Sequence, residues 1–575
     1  MTDADPEIAV TPASVLAGLS DGMWTRLASE SQLVVLEAGR WLFREGDASD
    51  QAYLVVSGRL EVVIEQPTEI VIRQLKRGAV VGELGLVRHG PRTASVRARR
   101  DSVLRFLSRE RFEYLVREAP DFALALIRGM GDQLAANRAP ETAPTAPRTI
   151  AVVGLGEGAP VDSVAAGLAS MLGRHGSLAQ LGPDEDRRAV DYPAVLETAE
   201  SDEDRVLLIG GSPDPDDKWT NFCISEADVV LALTRGDPHP AWLRNAAKLR
   251  GCELLAFDSP VSEQLLAALV PRDVSVMHGE QARAQGIAVV ARRLVGRSVG
   301  LVLSGGGARA MAHLGVLDEL EEAGIVVDRL AGASMGAIVS GLSATGRSAD
   351  EVAQVVHHDM VESNPSNDYT LPAYSLIRGR KTRRGLEAAF GNRRIEELPR
   401  RWYCVSSDLA SRELVVHRTG PMVDAVYASM AIPGIFPPVS SPDGRLLVDG
   451  GVIDNLPVGP MARAGEGPVI AVDVSLKDAR MAAARPRMQA LARVVRRAAT
   501  GTDRPLPRLT DTIMRTITVG SADTVAAAMR HADVVISPQV DGVGMLDWKQ
   551  MDKAREIGRQ AARAALEPVL ADLRP

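Results

Sequence analysis

Cysteine is scarce: the 575 residues hold three, Cys223, Cys252 and Cys404, without pairing or metal-ligand spacing. A disulfide scaffold and a cysteine metal centre are thereby excluded, and no metal site is expected; three scattered thiols suit a reducing compartment. Also missing is any uninterrupted apolar run of about 18 residues, so no transmembrane helix is expected. The N-terminus, Met1-Thr2-Asp3-Ala4-Asp5-Pro6-Glu7, is acidic and lacks a hydrophobic signal region. These absences predict a cytoplasmic chain whose contact with the inner face of a membrane is at most peripheral. Positive charge is in deficit, with 66 Lys and Arg against 74 Asp and Glu, a net charge of −8. That argues against nucleic acid as a partner and against purely electrostatic binding to anionic lipid. Histidine is nearly absent beyond residue 449, where His531 stands alone.

What is present is a large apolar fraction, 46%, enough for several buried cores. The length suits about three or four domains. Three short segments in the C-terminal half carry chemistry. Ser304-Gly305-Gly306-Gly307-Ala308-Arg309 follows an apolar strand, Val299–Leu303, and opens a helical stretch from Ala308 to Leu320. Its backbone N–H groups have no side chains in the way, as an oxyanion hole requires. Gly332-Ala333-Ser334-Met335-Gly336 places a hydroxyl between a strand, 326–333, and a buried helix, 336–344, on a corner that small residues permit. Asp449-Gly450-Gly451 ends a further short strand with a carboxylate that can accept the Ser334 proton. Each alone has an ordinary reading: a phosphate-binding glycine loop, a buried serine on a tight turn, an aspartate capping its own backbone. In this order together they point to acyl-ester hydrolysis.

A Ser-His-Asp triad is the rival arrangement. It requires a histidine after Asp449, and His531 reads instead as a residue that caps or packs at a helix end. His313, nine positions after Ser304, reads as a local structural hydrogen bonder.

Residues 11–134 form a first unit. A helical stretch, 14–29, precedes short strands at 32–37, 41–43, 51–57, 59–64, 70–75 and 95–98, then helices at 108–118 and 120–134. Strands this short and evenly spaced predict a small β-barrel or jelly roll. Within it, Gly82-Glu83-Leu84-Gly85-Leu86 and Pro91-Arg92-Thr93-Ala94-Ser95 offer a glycine-opened turn, a carboxylate for a ribose hydroxyl and a guanidinium for a cyclic phosphate. The same Glu–Arg pair could equally be a structural salt bridge. Residues 135–148, punctuated by Pro140, Pro144 and Pro147, read as a linker.

The third unit, 149–296, opens on Thr149-Ile150-Ala151-Val152-Val153-Gly154-Leu155-Gly156-Glu157-Gly158-Ala159, and strands alternate with helices through it. It is expected to be a degenerate α/β, Rossmann-like domain with a parallel sheet. Gly154, Gly156 and Ala159 mimic a dinucleotide fingerprint, but Asp184, past Gly182-Pro183, is poorly placed as the ribose-binding acid. An oxidoreductase reading is set aside on that ground.

Residues 297–575 resemble the patatin-like phospholipases, specifically the bacterial relatives of neuropathy target esterase. The resemblance rests on Gly305–Gly307 with Arg309, on Ser334 between Gly332 and Gly336, and on Asp449 with Gly450 and Gly451. Flanking segments fit too: His313–Leu317, Ala428–Pro438, Asn455–Val458 and Asp541–Asp547. Ala310 departs from the family, which usually has glycine there, and narrows the loop. The first unit similarly resembles the cyclic nucleotide-binding domain, through Gly82, Glu83, Arg92 and Thr93 and also Phe43–Asp47 and Gly58–Leu60.

The two resemblances, with the α/β reading of residues 149–296, imply a multidomain α/β protein: a jelly-roll sensor, a degenerate middle domain and a patatin-like α/β hydrolase domain. They imply a Ser334–Asp449 dyad hydrolysing lysophospholipid or related carboxylic esters, with Gly305, Gly306 and Gly307 as the oxyanion hole. No catalytic cofactor is implied; cAMP or cGMP is the implied regulator, and Thr93 would favour a guanine ring. The alternative is a cyclic-nucleotide receptor whose hydrolase domain is a scaffold. The segment 371–381, with Tyr374 and Leu376 beside Arg378, Arg380 and Lys381, reads either as a lipid contact or as a surface lid.

Overall fold

The structure, a computed structural model, describes residues 32–118, 123–124, 146–363, 368–370, 375–475 and 520–574, less short breaks at 37–39, 65–69, 76–78, 89, 100–101, 157, 185–191, 213–216, 237–247 and 546. The expected helix at 14–29, that at 120–134 apart from the helical residues 123–124, and most of the linker lie outside the described residues.

The N-terminal unit is two four-stranded antiparallel sheets. One runs in the order Gln32–Leu36, Ser102–Ser108, Gln51–Ser57, Val80–Val81; the other Trp41–Phe43, Ser95–Ala98, Leu60–Ile64, Ile70–Leu75. This is the jelly-roll arrangement. Tyr53, Val55 and Leu104 of one sheet meet Leu60, Val62, Leu75 and Val96 of the other in one core. Two of these strands escaped sequence reading. Val80–Val81 is too short to show a period. Ser102–Ser108 hides its alternation behind Arg105, a charged residue buried in the strand.

The middle unit is a six-stranded parallel sheet in the order Leu178–Leu181, Arg205–Ile209, Thr149–Gly154, Val229–Thr234, Glu253–Phe257, Asp273–Met277. Numbered along the chain, that order is 2-3-1-4-5-6, not the 3-2-1-4-5-6 of dinucleotide-binding sheets. The strand after the glycine turn therefore lies at the sheet edge, with Arg205–Ile209 between it and Thr149–Gly154. Asp184 follows that edge strand, two strand spacings or about 10 Å from the glycine turn. A ribose-binding acid is needed beside the first strand, and this order does not put one there.

The C-terminal unit centres on parallel strands in the order Arg401–Asp408, Val327–Gly332, Val299–Leu303, Val469–Val472, Val534–Ile536. Leu446–Asp449 and Leu414–His417 pair antiparallel with Arg401–Asp408, and Val439–Ser440 extends the edge. Parallel strands are covered on both faces, so they read as continuous apolar runs; Val299–Leu303 and Val327–Gly332 are buried throughout. On one face the helix Met551–Leu566 lies against Ala312–Glu322. The two backbones meet at Gly315 and Gly558, where any Cβ would strike the opposing chain. Arg555 with Asp318, and Arg563 with Glu319, close the seam with forked ion pairs at 2.7–3.0 Å.

Candidate active site

Strand register assembles the site. Leu303 pairs with Gly332, Gly332 with Cys404, and Ser406 with Asp449. Two residues beyond the first three lie Gly305, Ser334 and Ser406. The glycine turn, the serine and the aspartate thus come level at one end of the sheet, although 115 residues separate Ser334 from Asp449.

Ser334 sits at φ 53°, ψ −122°, a conformation rare for residues with a side chain, directly before the helix Met335–Ala344. The corner is tight because Gly332 and Gly336 permit it. A Cβ on Gly332 would strike the Gly336 backbone, and one on Gly336 the Leu303 and Ser304 carbonyls. The Ser334 N–H donates to Ser429 Oγ at 3.1 Å. Its hydroxyl donates to Asp449 Oδ2 at 2.6 Å, with no histidine between them.

Asp449 is 3% exposed, and burial pushes its carboxyl up to about 6 against the pull of the Ser334 and Gly451 hydrogen bonds. Its Oδ1 accepts the Gly451 N–H at 2.8 Å, and its own N–H donates to Ala431 O at 2.9 Å. The two glycines after it are steric necessities: a Cβ on Gly450 would strike Val405 O, and one on Gly451 would come 2.7 Å from Asn455 Oδ1. A carboxylate with such a raised pKa is suited to take a proton near neutral pH.

The glycine turn differs from expectation in one respect. Gly305 cannot be an oxyanion donor as it stands, because its N–H already donates to Asn455 O at 3.2 Å. Its contribution is space: a Cβ there would meet Asn455 Oδ1 at 2.6 Å and Ser334 Cβ at 3.0 Å. Among the described residues the N–H groups of Gly306 and Gly307 have no acceptor, leaving two donors at the turn. Gly307 has φ 56°, and its missing side chain admits the Met545 carbonyl, which accepts the Ala308 N–H at 2.8 Å. Arg309 closes the turn through its own N–H to Gly306 O at 3.3 Å.

The histidines fall where the sequence placed them. His531 is exposed at the end of the helix Ala522–Arg530, its N–H on Ala528 O. His313 is fully buried, 2.8 Å from Ser304 O through Nε2, and burial pushes its imidazole down to about 4. Sequence reading missed the roles of Ser429, Asn455 and Met545. All three stand in segments that fit the family, so the pattern flagged the neighbourhoods without saying what each residue touches.

In the N-terminal unit, Gly82, Glu83 and Arg92 come together and Thr93 does not join them. Arg92 is buried and donates to Gly82 O at 3.0 Å and Gln51 O at 2.8 Å, with its guanidinium 4.0 Å from the centre of the Phe43 ring. Its Nε has no partner among the described residues, and burial pushes its pKa down. A buried guanidinium held by carbonyls and an aromatic ring fits an anion such as a cyclic phosphate. Glu83 is 3% exposed at the start of the helix Glu83–Arg88, and Thr93 is exposed.

Residues 301–462 match the patatin-like phospholipase family, and residues 33–119 match the cyclic nucleotide-binding domain. The uncharacterized NTE family protein MT2641 of Mycobacterium tuberculosis (strain CDC 1551 / Oshkosh) is 34% identical, over 98% of this chain and 97% of its own. The chain belongs to the NTE family. The lysophospholipase NTE1 of Coccidioides immitis is 26% identical over 99% of this NTE family chain, which matches 42% of the fungal protein. Patatin-like phospholipase domain-containing protein 6 of Pongo abelii is 27% identical over 83% of the chain and 40% of its own length. Ser334, Asp449 and the glycine turn fall within the patatin-like match, and the Gly82–Arg92 cluster within the cyclic nucleotide-binding one. Among the described residues no helix is long and apolar enough to cross a membrane.

Proposed function

We propose that this chain is a serine esterase that hydrolyses carboxylic ester bonds of lysophospholipids or related lipids. The observation that carries the reading is the direct 2.6 Å hydrogen bond from Ser334 Oγ to a buried carboxylate at a strained corner. Asp449 takes the Ser334 proton as the hydroxyl attacks the ester carbonyl, and the Gly306 and Gly307 N–H groups hold the oxyanion. The proton passes to the leaving alcohol as the acyl-enzyme forms. Water, deprotonated by Asp449, then attacks the acyl-enzyme and regenerates Ser334.

The test is hydrolysis of lysophosphatidylcholine and a short p-nitrophenyl ester. Ser334→Ala and Asp449→Asn should each lose at least about a thousandfold in rate, with His531→Ala unchanged. Loss in His531→Ala as well would replace the dyad with a triad.

Cyclic nucleotide, cAMP or cGMP, is the proposed regulator, supported by the buried Arg92 and the neighbouring Glu83. The middle unit serves as a spacer without nucleotide chemistry of its own. Arg92→Ala should abolish nucleotide binding by the full chain. Esterase rates that are equal with and without saturating nucleotide would remove the regulatory part.

A further inference from the structure

We propose that the surface formed by Tyr369, Arg378, Arg380, Lys381 and Arg384 docks this chain on an anionic phospholipid bilayer. The proposal rests on the esterase reading for its purpose, since it brings the site to its substrate, but its test needs no turnover.

The first observation is a charge inversion. In a chain of net charge −8, the segment Arg378-Gly379-Arg380-Lys381-Thr382-Arg383-Arg384 carries five basic residues in seven. All five are exposed. Four of them occupy the first turns of the helix Arg380–Phe390. That is the positive end of a helix dipole, where cations are disfavoured, so helix stability does not account for them. Arg383 is held by Asp424 at 2.7 Å and Glu387 at 3.2 Å. Among the described residues, Arg378, Arg380 and Arg384 have no carboxylate within ion-pairing distance.

The second observation is apolar and adjoins the first. Tyr369 is 72% exposed and forms an isolated antiparallel bridge with Ile377, next to Arg378. An exposed aromatic beside several cations is the composition that sits at a membrane interface, the ring among the headgroups and the charges on the phosphates.

The third observation ties this surface to the candidate site. Leu376 and Ile377 donate N–H groups to Gly434 O and Ile435 O at 3.0 and 2.9 Å. Ile377, Ala431, Ile435 and Phe436 share one apolar cluster. The Ala431 carbonyl accepts the Asp449 N–H. A run of backbone hydrogen bonds and buried apolar packing therefore links the segment that carries the basic surface to the backbone of Asp449. Residues 371–374 lie outside the described residues and are not needed for the proposal.

The experiment is cosedimentation of the full chain with phosphatidylcholine vesicles made with and without phosphatidylglycerol. The native chain and Ser334→Ala should bind the anionic vesicles equally and leave the neutral ones. Raising the ionic strength should weaken the binding. The triple variant Arg378→Gln, Arg380→Gln, Arg384→Gln should lose about a hundredfold in affinity, at roughly fivefold per charge. Tyr369→Ser should weaken binding several-fold without changing its salt dependence. A native thermal melt of each variant certifies the fold, as does native hydrolysis of the short soluble ester by the glutamine and Tyr369 variants; if the triple variant fails that control, the three single variants are compared stepwise. Native protein that ignores anionic vesicles, or basic-to-glutamine variants that bind as the native chain does, would overturn the proposal. So would equal capture by a soluble polyanion, heparin, that abolishes vesicle binding without requiring Tyr369. Vesicle binding by an esterase-dead native chain would leave this proposal standing while the catalytic reading fell.

Discussion

Asn455 grips Gly305 on both sides: its carbonyl accepts the Gly305 N–H at 3.2 Å, and its Nδ2 donates to the Gly305 carbonyl at 3.1 Å. Asn455 lies six residues after Asp449, so one short segment carries the carboxylate and also fixes the glycine turn. The distance between proton acceptor and oxyanion donors is thereby set locally, on a buried loop. Asn455→Ala keeps the backbone bond and removes the side-chain one. The expected result is a fall in kcat of about ten- to a hundredfold with KM little changed, because the donors are displaced and binding surfaces are not. Asn455→Asp should be worse, since a carboxylate cannot donate to Gly305 O and adds negative charge near Asp449. Steady-state kinetics on a soluble ester checks both; a native kcat in Asn455→Ala would show that the turn holds itself.

The raised pKa of Asp449 has two consequences of opposite sign. The base must be ionised, so kcat/KM should rise about tenfold per pH unit up to about pH 6 and then level off. For stability, a carboxyl whose folded pKa lies above its unfolded value favours the fold most when protonated. That contribution is complete below the unfolded value, 3.8, and is lost as pH rises through about 6. At neutral pH the buried charge costs on the order of 3 kcal/mol. Asp449→Asn can still accept from Gly451 and donate to Ser334. It should therefore abolish activity while raising Tm at pH 8, and the gain should shrink as pH is lowered towards 5. Thermal melts across that range decide it.

Glycine substitutions separate space from conformation. Gly558 faces the Ala312 carbonyl in the helix–helix seam, so Gly558→Ala forces the backbones apart and should cost about 1–3 kcal/mol or more. Gly385 lies inside the helix Arg380–Phe390 with open space where its Cβ would be. Gly385→Ala should stabilise by about 0.5–1 kcal/mol. Denaturant midpoints for the two variants should move in opposite directions.

Much of the site was legible because its parts are local. Ser334 needs Gly332 and Gly336, Asp449 needs Gly450 and Gly451, and each requirement is written within five residues. What was not legible is what comes together only through register or distant packing. Gly305 reads as a donor until Asn455, 150 residues on, takes its N–H. Gly558 reads as an ordinary helical glycine until Ala312 arrives beside it. Helices separate the strands of the middle unit except between Val229–Thr234 and Glu253–Phe257, where residues 237–247 lie outside the described residues. The strand order depends on whether the strand Leu178–Leu181 pairs beside Thr149–Gly154 or outside Arg205–Ile209, and no local pattern in those four residues records that choice.

The seam between the middle and C-terminal units is a buried ionic cluster. Arg293 donates to both oxygens of Glu253 at 3.0 Å and to Glu466 at 2.8 Å, while Arg401 donates to Glu466 at 2.9 Å and pairs with Asp273. Glu253 and Arg293 are almost wholly buried. Burial alone would raise the Glu466 carboxyl, but Arg293 and Arg401 outweigh it and hold the group well below the usual range. A depressed folded pKa gives stability that is present above the unfolded value, 4.5, and is lost as pH falls. Glu466→Gln leaves Arg293 and Arg401 short of a counter-charge in a dry interface. It should destabilise by about 3–5 kcal/mol at pH 7, and the difference should close as pH falls below about 4. Arg401 opens the strand that carries Ser406, five residues or about 17 Å from the level of Ser334. Ester hydrolysis below the melting temperature should therefore be unchanged in Glu466→Gln. If kcat fell while the fold held, the cluster would be transmitting strain along that strand to the serine corner, and the middle unit would be part of the catalytic machinery and not a spacer.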